Sequence, residues 1–205
     1  AHPRLLVSAE GMYYRDDRGR KILDAISGLW CVNAGHNRTP VVEAIRAQAG
    51  ELGYGPSFHF SHPKTFQLAA RLAALAPKGL ERVFFCNSGS EAADTALKIA
   101  RAYFKARGAP ERFRLIGRER AYHGVNFGGI SVGGMPNNKT PYEPLLPGTE
   151  DMLPLPYDFE RGRFHRGEAE GGADYADALE NICAARGAET IAAVIVEPMT
   201  GSGGV

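Results

Sequence analysis

The chain has 205 residues, of which 44% are hydrophobic, so it is long enough to bury a sizeable core. Its 24 Lys and Arg side chains nearly balance 23 Asp and Glu side chains, which leaves a formal net charge of +1. The sequence contains no basic stripe, no block of like charge and no apolar run long enough to span a bilayer. The composition therefore favours neither a nucleic-acid nor a membrane partner.

The first part of the chain predicts a β-hairpin followed by two helices. Alternating segments at 11–16 and 21–24 are typical of two strands around a tight turn. Thr39 is expected to cap one helix, because a proline at the next position suits the first helical turn. A second helix is expected to begin near Lys64. The intervening residues 53–63 form a loop rich in aromatic and histidine side chains.

Residues 87–92, Asn-Ser-Gly-Ser-Glu-Ala, are the most informative segment of the sequence. They lie between an apolar run at 83–86, which is expected to be a buried strand, and a helical pattern. A turn between a strand and a helix binds phosphate well, because the first helical N–H groups lack internal acceptors and carry partial positive charge. Gly89 can adopt a conformation that a Cβ would forbid. The alternative is an ordinary helix capped by Ser88 or Ser90.

The remainder of the chain alternates between strand and helix patterns, which predicts a parallel α/β sheet. The expected elements are a strand at 114–117, a strand or loop at 128–132, a helix at 173–186 and a strand at 191–197. Residues 134–172 are rich in Pro, Gly and charged side chains, and we expect them to form a long surface excursion.

The cysteines and histidines give no metal-binding pattern. Cys31, Cys86 and Cys183 lack metal-ligand spacing and are expected to be reduced thiols of a cytoplasmic protein. His59 and His62 could bring two imidazoles together, but no Cys or carboxylate cluster accompanies them. The sequence therefore favours a structural loop at these histidines over a metal site.

One short pattern suggests a different class of enzyme. Gly129, Ser131 and Gly133 match the G-x-S-x-G pattern of serine hydrolases, with Ser131 as the nucleophile. That motif requires a strand, a sharp turn and a helix that begins at once. The following residues 134–138, Gly-Met-Pro-Asn-Asn, are unsuited to such a helix. A serine hydrolase is therefore a remote alternative.

Several separated motifs together resemble a known family. They are Gly28-Leu29-Trp30-Cys31-Val32-Asn33-Ala34-Gly35-His36, Ser88-Gly89-Ser90-Glu91-Ala92, Ala96-Leu97-Lys98-Ile99-Ala100-Arg101, Tyr122-His123-Gly124 and Val196-Glu197-Pro198. In this order they resemble the class III aminotransferases, which are pyridoxal-phosphate enzymes of fold type I. The resemblance covers essentially the whole chain. Residues 29–31 and 55–60 are most similar to the omega-amino acid:pyruvate aminotransferases, including the β-alanine–pyruvate enzymes.

The resemblance implies an α/β fold, the fold type I of pyridoxal-phosphate-dependent transferases, with a mostly parallel sheet, flanking helices and a small N-terminal α+β segment. Residues 1–60 would form that segment, including part of the small domain and an interface loop. Residues 61–205 would be the front part of the large cofactor-binding domain. The family's Schiff-base lysine lies downstream of the last strand, so we expect no catalytic residue in this chain and interpret it as the front part of a longer enzyme.

The resemblance also assigns roles around the cofactor, pyridoxal 5′-phosphate. Ser88, Gly89 and Ser90 would hold its phosphate, and Tyr122 would lie against its pyridine ring. Glu197 would lie near the cofactor at the end of a strand, or would pair with an arginine absent from this sequence. His123 is expected to orient its turn by hydrogen bonding.

The resemblance also implies that two aromatic residues line the substrate pocket. Trp30 would wall the substrate pocket, with core packing as the alternative. Phe58 would reach the pocket of a neighbouring subunit, because these enzymes build each active site at a dimer interface; packing on its own subunit is the alternative. The implied assembly is a homodimer or a dimer of dimers.

The implied reaction is transamination of an omega-amino acid or amine of the β-alanine type, with pyruvate as the acceptor. The products would be an aldehyde or ketone and alanine. A diamine aminotransferase or an aminomutase of the same family remains open. So does a non-catalytic module that binds a phosphate-bearing ligand.

Overall fold

A computed structural model describes residues 4–56, 58–167 and 171–203 of the chain. Contacts between Cα atoms divide the chain into two units, Ala1–Val83 and Phe84–Val205, each with its own three-stranded sheet. The boundary after residue 60 that the resemblance implies remains a prediction. Ser57, which belongs to the aromatic loop, lies outside the described residues.

The first unit contains an antiparallel sheet with the strand order β1-β2-β3. Its strands are β1 (Leu6–Glu10), β2 (Tyr13–Asp16) and β3 (Lys21–Leu23). The predicted hairpin is confirmed as β2 and β3, and the Asp16 carboxylate closes its turn by accepting the N–H groups of Arg18 and Arg20 at 3.0 and 2.8 Å. Strand β1 was not predicted, because its sequence does not alternate and it depends on pairing with β2.

Three helical segments follow in the first unit. They are α1 (Ser27–Trp30), which is a single turn with positive φ angles, α2 (Thr39–Glu51) and α3 (Pro63–Leu75). Helix α2 begins one residue earlier than predicted, so Arg38 rather than Thr39 occupies its cap position. His62 caps α3, because its Nδ1 accepts the N–H of Lys64 at 3.0 Å. The histidine of the aromatic loop therefore has a structural role.

The second unit contains a parallel sheet with the strand order β5-β4-β6. Its strands are β4 (Arg114–Arg118), β5 (Met152–Leu153) and β6 (Ile191–Val194). The predicted strands at 114–117 and 191–197 correspond to β4 and to a shorter β6. Strand β5 lies within the segment that we expected to be a surface excursion. Two residues are too few to produce a periodic pattern, so only their pairing with β4 reveals this strand.

Five helices accompany this sheet among the described residues. They are α4 (Gly89–Ala106), α5 (Phe127–Val132), α6 (Pro136–Lys139), α7 (Phe159–Gly162) and α8 (Gly172–Arg186). Two short 3₁₀ turns lie at Thr140–Tyr142 and Ala188–Thr190. Within the described ranges, no helix combines the length and the apolar character needed to cross a bilayer.

The core of the second unit joins its long helix to the sheet. Leu97 of α4, Leu115 of β4 and Val132 of α5 form a buried cluster. The partly buried side chains that pack against it are Ala100, Ala192, Ala193 and Ile195. Full burial of a leucine or valine side chain contributes about 1.5–3 kcal/mol. This cluster therefore holds the middle of α4 against the sheet and against α5.

Two local predictions in the second unit are wrong. Residues 83–86 form no strand, and Phe84 is 72% exposed within the described chain. An apolar run does not specify a strand without a partner to pair with, and none pairs with it among the described residues. Residues 128–132 belong to helix α5 rather than to a strand or loop. Gly128 allows α5 to approach α4 closely, since an added Cβ would lie 2.5 Å from Asp94 Oδ1.

Candidate active site

Three segments of the second unit meet at the carboxyl ends of its parallel strands. Strand β4 leads into the loop that contains Tyr122, and β6 leads into the loop that contains Glu197. The start of α4 reaches the same edge, because Ser90 Oγ accepts the N–H of Val125 at 3.0 Å. Ligand sites of parallel α/β sheets form at this edge. The structure therefore brings together the residues expected at the phosphate and those expected at the ring.

The turn before α4 presents free backbone donors. Ser88 caps the helix by accepting the N–H of Glu91 at 3.2 Å, and Glu91 Oε2 accepts the N–H of Asn87 at 2.9 Å. The N–H groups of Gly89 and Ser90 have no acceptor in the part of the chain that the structure describes. Such groups, together with the positive end of the helix dipole, favour an anion.

Glycine has different roles at two positions of this edge. Gly89 does not use the conformational freedom of a glycine: its φ is not positive, and an added Cβ would meet nothing within 4 Å. Its small size instead leaves open space beside the first helical N–H groups. Gly124 is the constrained glycine, with a φ of +96° and only 2.6 Å between an added Cβ and Ser90 Oγ. The lack of a Cβ at Gly124 therefore allows the Tyr122 loop to approach the start of α4 this closely.

Glu197 links the two strand ends to the Tyr122 loop. Its Oε1 accepts the backbone N–H of Tyr122 at 3.0 Å, and its Oε2 accepts from Arg118 Nη2 at 2.9 Å. Arg118 Nη2 also lies 3.2 Å from the Glu197 carbonyl oxygen and 3.3 Å from Thr200 Oγ1. Glu197 therefore has an arginine partner within the chain, and its pairing with an arginine absent from this sequence remains a prediction. Sequence reasoning overlooked Arg118, although a charged residue at the end of a buried strand was a signal.

The pair of Arg118 and Glu197 is largely buried, which makes it sensitive to the loss of either partner. Tyr122, whose N–H the pair helps to hold, keeps 44% of its surface exposed within the described chain. Its ring can therefore contact a ligand at the same edge.

His123 lies half-buried near this pair. Burial lowers the pKa of its imidazole; the nearby Glu197 carboxylate opposes this effect, and the Arg118 guanidinium adds to it. Among the described residues, His123 Nε2 has no hydrogen-bond partner, so the expected orienting bond is not made through that atom. The imidazole is consequently held in its neutral form.

The two predicted substrate residues belong to the first unit and are strongly exposed. Trp30 is 61% exposed and Phe58 is 82% exposed within the described chain, so neither packs into the core of its own unit. Their roles in a substrate pocket remain predictions. Both side chains are nevertheless available for contact with a ligand or with another part of the protein.

Trp30 belongs to a segment with an unusual backbone conformation. Ser27, Gly28, Leu29 and Trp30 have φ values of 50°, 60°, 60° and 68°, and the Trp30 N–H donates to the carbonyl of Ile26 at 2.9 Å. This is one turn of left-handed helix. Such a conformation costs about 1–2 kcal/mol for each residue that carries a Cβ. Strain of this kind persists only where the surroundings enforce it, and it is concentrated at functional sites.

The serine-hydrolase alternative is wrong. Ser131 lies inside helix α5 and is fully buried, rather than on a sharp turn after a strand. Its hydroxyl donates to the carbonyl of Phe127 at 2.5 Å and accepts the N–H of Leu146 at 3.1 Å. Such a hydroxyl ties α5 to the following segment and is not accessible to a substrate.

Comparisons with known proteins agree with this geometry. Residues 1–205 match the model of the family Aminotransferase class-III. An omega-aminotransferase of Caulobacter vibrioides is 57% identical over 204 residues, which are 100% of this chain and 46% of that protein. A beta-alanine–pyruvate aminotransferase of Pseudomonas aeruginosa is 47% identical over 205 residues, covering 99% of this chain and 45% of that protein.

A solved structure shows the same fold. The crystal structure of a PLP-bound amine transaminase from an uncultivated Pseudomonas species superposes with a TM-score of 0.88 and 39% identity, covering 100% of this chain and 46% of that one. The predicted fold type I is thereby confirmed. The chain spans about half the length of the relatives that it matches. With its motifs, its fold and its whole length in agreement, the chain belongs to the class III aminotransferase family.

Proposed function

We propose that the complete polypeptide is a pyridoxal 5′-phosphate-dependent omega-aminotransferase. It moves an amino group from an omega-amino acid or amine of the β-alanine type to pyruvate, and it releases an aldehyde or ketone and alanine. The observation that carries this proposal is that two free N–H groups, at Gly89 and Ser90, and the exposed Tyr122 lie on segments that are joined by the hydrogen bond from Val125 to Ser90. The omega-aminotransferase and beta-alanine–pyruvate relatives support the choice of substrates.

The residues at the carboxyl ends of the parallel strands fit a phosphate group. The oxygens of Ser88 and Ser90 act as acceptors for the chain's own N–H groups, so both hydroxyl hydrogens remain available to donate. The Glu91 carboxylate accepts two hydrogen bonds from Asn87 through its Oε2 atom. An anion at this turn therefore meets only donors from the three residues 88–90.

The same edge fits the ring of the cofactor. Pyridoxal phosphate supplies an electron sink for the pair released when the donor carbon loses its proton. Tyr122 would fix the plane of the ring, so that the bond to be broken can stand perpendicular to the π system. Glu197 would support this role through the backbone of Tyr122, whose N–H it accepts at 3.0 Å. The proton-transferring lysine is expected from the remainder of the polypeptide.

The substrate pocket and the assembly are parts of the same proposal. Trp30 would form one wall of the pocket, and Phe58 would reach the pocket of a second copy. Their exposure within the described chain supports an active site completed in a homodimer or a dimer of dimers. Free thiols at all three cysteines support a cytoplasmic location.

The proposal is tested by placing a carboxylate in residues 88–90, the proposed phosphate turn. Gly89 is the first residue of α4, and Gly172 is the first residue of α8; an added Cβ meets nothing within 4 Å at either position. Gly89→Asp should abolish retention of pyridoxal phosphate by charge repulsion. Gly172→Asp, the matched control, should retain the cofactor and the wild-type rate of alanine formation from β-alanine and pyruvate.

Two outcomes would contradict the proposal. Equal cofactor retention in the Gly89→Asp and Gly172→Asp variants would exclude the phosphate assignment. A wild-type enzyme that binds the cofactor but forms no alanine from pyruvate would exclude the acceptor. Activity with a diamine such as putrescine, and none with β-alanine, would instead identify a diamine aminotransferase of the same family.

A further inference from the structure

We infer that Asp24 and His36 are positioning residues of the substrate pocket, because they hold the left-handed turn α1 in the shape that presents Leu29 and Trp30. The inference rests on the proposed function, in which Trp30 forms a wall of that pocket. Both residues belong to the first unit, whereas the residues proposed to hold the cofactor belong to the second. Their effect is therefore on the choice and binding of the amine donor.

The turn needs an external support. Three of its four residues, Ser27, Leu29 and Trp30, carry a Cβ and have positive φ values. The two large side chains are exposed within the described chain, with Leu29 73% and Trp30 61% accessible, so burial of these groups does not stabilise the turn. Other contacts must hold the backbone in place.

Asp24 supplies these contacts. Its side chain is buried, and Oδ2 accepts the N–H of Gly28 at 2.7 Å while Oδ1 accepts the N–H of Ile26 at 3.2 Å. Asp24 thus binds the residue that precedes the turn and a residue within it. Burial alone would raise the pKa of Asp24, but hydrogen bonds led by that from His36 outweigh it and lower the pKa. The side chain is accordingly a carboxylate, with both oxygens available as acceptors.

His36 connects this carboxylate to the sheet. Its Nε2 lies 2.7 Å from Asp24 Oδ2, and its backbone exchanges two hydrogen bonds with Gly11, at 2.8 and 3.1 Å. Its ring packs against the ring of Tyr14 in β2, with centroids 4.4 Å apart. A continuous series of contacts therefore runs from the antiparallel sheet through His36 and Asp24 to Gly28.

The Tyr14 side chain also limits which residue can occupy the turn. An added Cβ at Gly28 would lie 3.2 Å from the Tyr14 hydroxyl oxygen and 3.1 Å from Val32 Cγ2. Gly28 has a φ of +60°, so any side chain there is strained as well as crowded. The turn is thus clamped on one side by the Asp24 carboxylate and on the other by close packing.

The test compares two buried aspartates of the first unit in the complete enzyme. Asp24→Asn removes the charge that binds Gly28 and His36. Asp16→Asn is the matched control, because Asp16 is also buried and also accepts two backbone N–H groups, but in the β2–β3 turn. For Asp24→Asn we expect the KM for benzylamine to rise about tenfold, with cofactor retention and kcat for β-alanine within about twofold of wild type.

A rescue variant separates positioning from a general loss of structure. Ser27 has a positive φ, and the substitution Ser27→Gly lowers the cost of the left-handed turn without changing Leu29 or Trp30. In the Asp24→Asn background, Ser27→Gly should lower the KM for benzylamine most of the way back to the wild-type value. In the Asp16→Asn background, it should leave that KM unchanged. Hydrogen exchange of residues 26–32 should be faster in Asp24→Asn alone and slower again in the double variant.

Two results would overturn the inference. One is a benzylamine KM for Asp24→Asn equal to that of Asp16→Asn. The other is a parallel loss of cofactor, kcat and KM that Ser27→Gly does not correct. An inactive wild type would contradict the proposed function itself, and it would be seen before any variant is made. In that case the exchange rates of residues 26–32 would still decide whether Asp24 holds the turn.

Discussion

Arg118 at the end of β4 and Glu197 beyond the end of β6 form an ion pair, with 2.9 Å between Nη2 and Oε2. The second oxygen of the same carboxylate accepts the N–H of Tyr122 at 3.0 Å. One side chain therefore joins two neighbouring strand ends and the aromatic residue proposed to contact the cofactor ring. Displacement of any of the three groups is transmitted to the others through a single carboxylate.

The first prediction concerns this ion pair. Arg118→Met should lower the free energy of unfolding by about 3–5 kcal/mol, because it leaves the Glu197 carboxylate mostly buried without its counter-charge. Removing both charges in Arg118→Met/Glu197→Gln should recover part of that loss. Denaturant unfolding of the two single variants and the double variant measures the coupling. Additive effects of the single variants would show that the two charges do not stabilise each other.

The second prediction concerns the phosphate turn. Ser90→Ala should weaken binding of pyridoxal phosphate by about 10- to 100-fold, since it removes a donor to a charged group. It also removes the acceptor for the N–H of Val125, which holds the Tyr122 loop. Ser8→Ala, at an exposed position of β1, is the control and should leave the affinity unchanged. Fluorescence titration with the cofactor gives both dissociation constants, and equal values would exclude Ser90 from the phosphate site.

The third prediction concerns pH. Because the pKa of His123 is lowered, folding favours the neutral imidazole. The stability that it contributes is present above the ordinary histidine pKa of about 6.5 and is lost as the pH falls through the lowered pKa of the folded state. His123→Phe removes this contribution. Thermal unfolding between pH 5 and pH 8 should show a smaller decrease on acidification for the variant than for wild type, and parallel curves would contradict the assignment.

The fourth prediction separates conformational strain from close contact at glycine. Gly124 and Gly108 both have positive φ angles, but an added Cβ would lie 2.6 Å from Ser90 Oγ at Gly124 and would meet nothing within 4 Å at Gly108. Gly108→Ala should cost about 1–2 kcal/mol of stability and leave cofactor affinity unchanged. Gly124→Ala should cost more and should also weaken cofactor binding, as calorimetry would measure. Equal effects on affinity would contradict the proposed contact between the loop and the phosphate turn.

Local sequence patterns were sufficient to predict the elements that have a strong hydrophobic periodicity or clear residues at their ends. The hairpin of β2 and β3, the helix α4 and the central strand β4 were all predicted from such patterns, whereas the choice of Ser88 over Ser90 as the cap of α4 was left open. Each depends on interactions between residues close in sequence, or on an apolar run that is buried by its neighbours. The proposed site residues at 88–90 and 122 rest on the family resemblance added to these patterns.

Other features depend on partners that are distant in sequence. Arg118 and Glu197 are 79 positions apart, so no local pattern relates them. The left-handed turn at Ser27–Trp30 was missed because a single glycine does not distinguish it from an ordinary loop. The expected strand at 83–86 had suitable residues but no pairing partner among those described. In each case tertiary contacts determine the conformation, and a local sequence pattern does not predict such contacts.

The support of the left-handed turn has a consequence for engineering. The described hydrogen bonds that shape it come from Asp24, Ile26 and His36 and remain within the first unit, whereas those at the phosphate turn remain within the second. Side chains at 29 and 30 can therefore be randomised with little risk to coenzyme retention, provided that the aspartate and glycine beneath them are kept. A library built on this rule would test the proposed role of these side chains in donor choice while leaving the residues proposed to hold the cofactor unchanged.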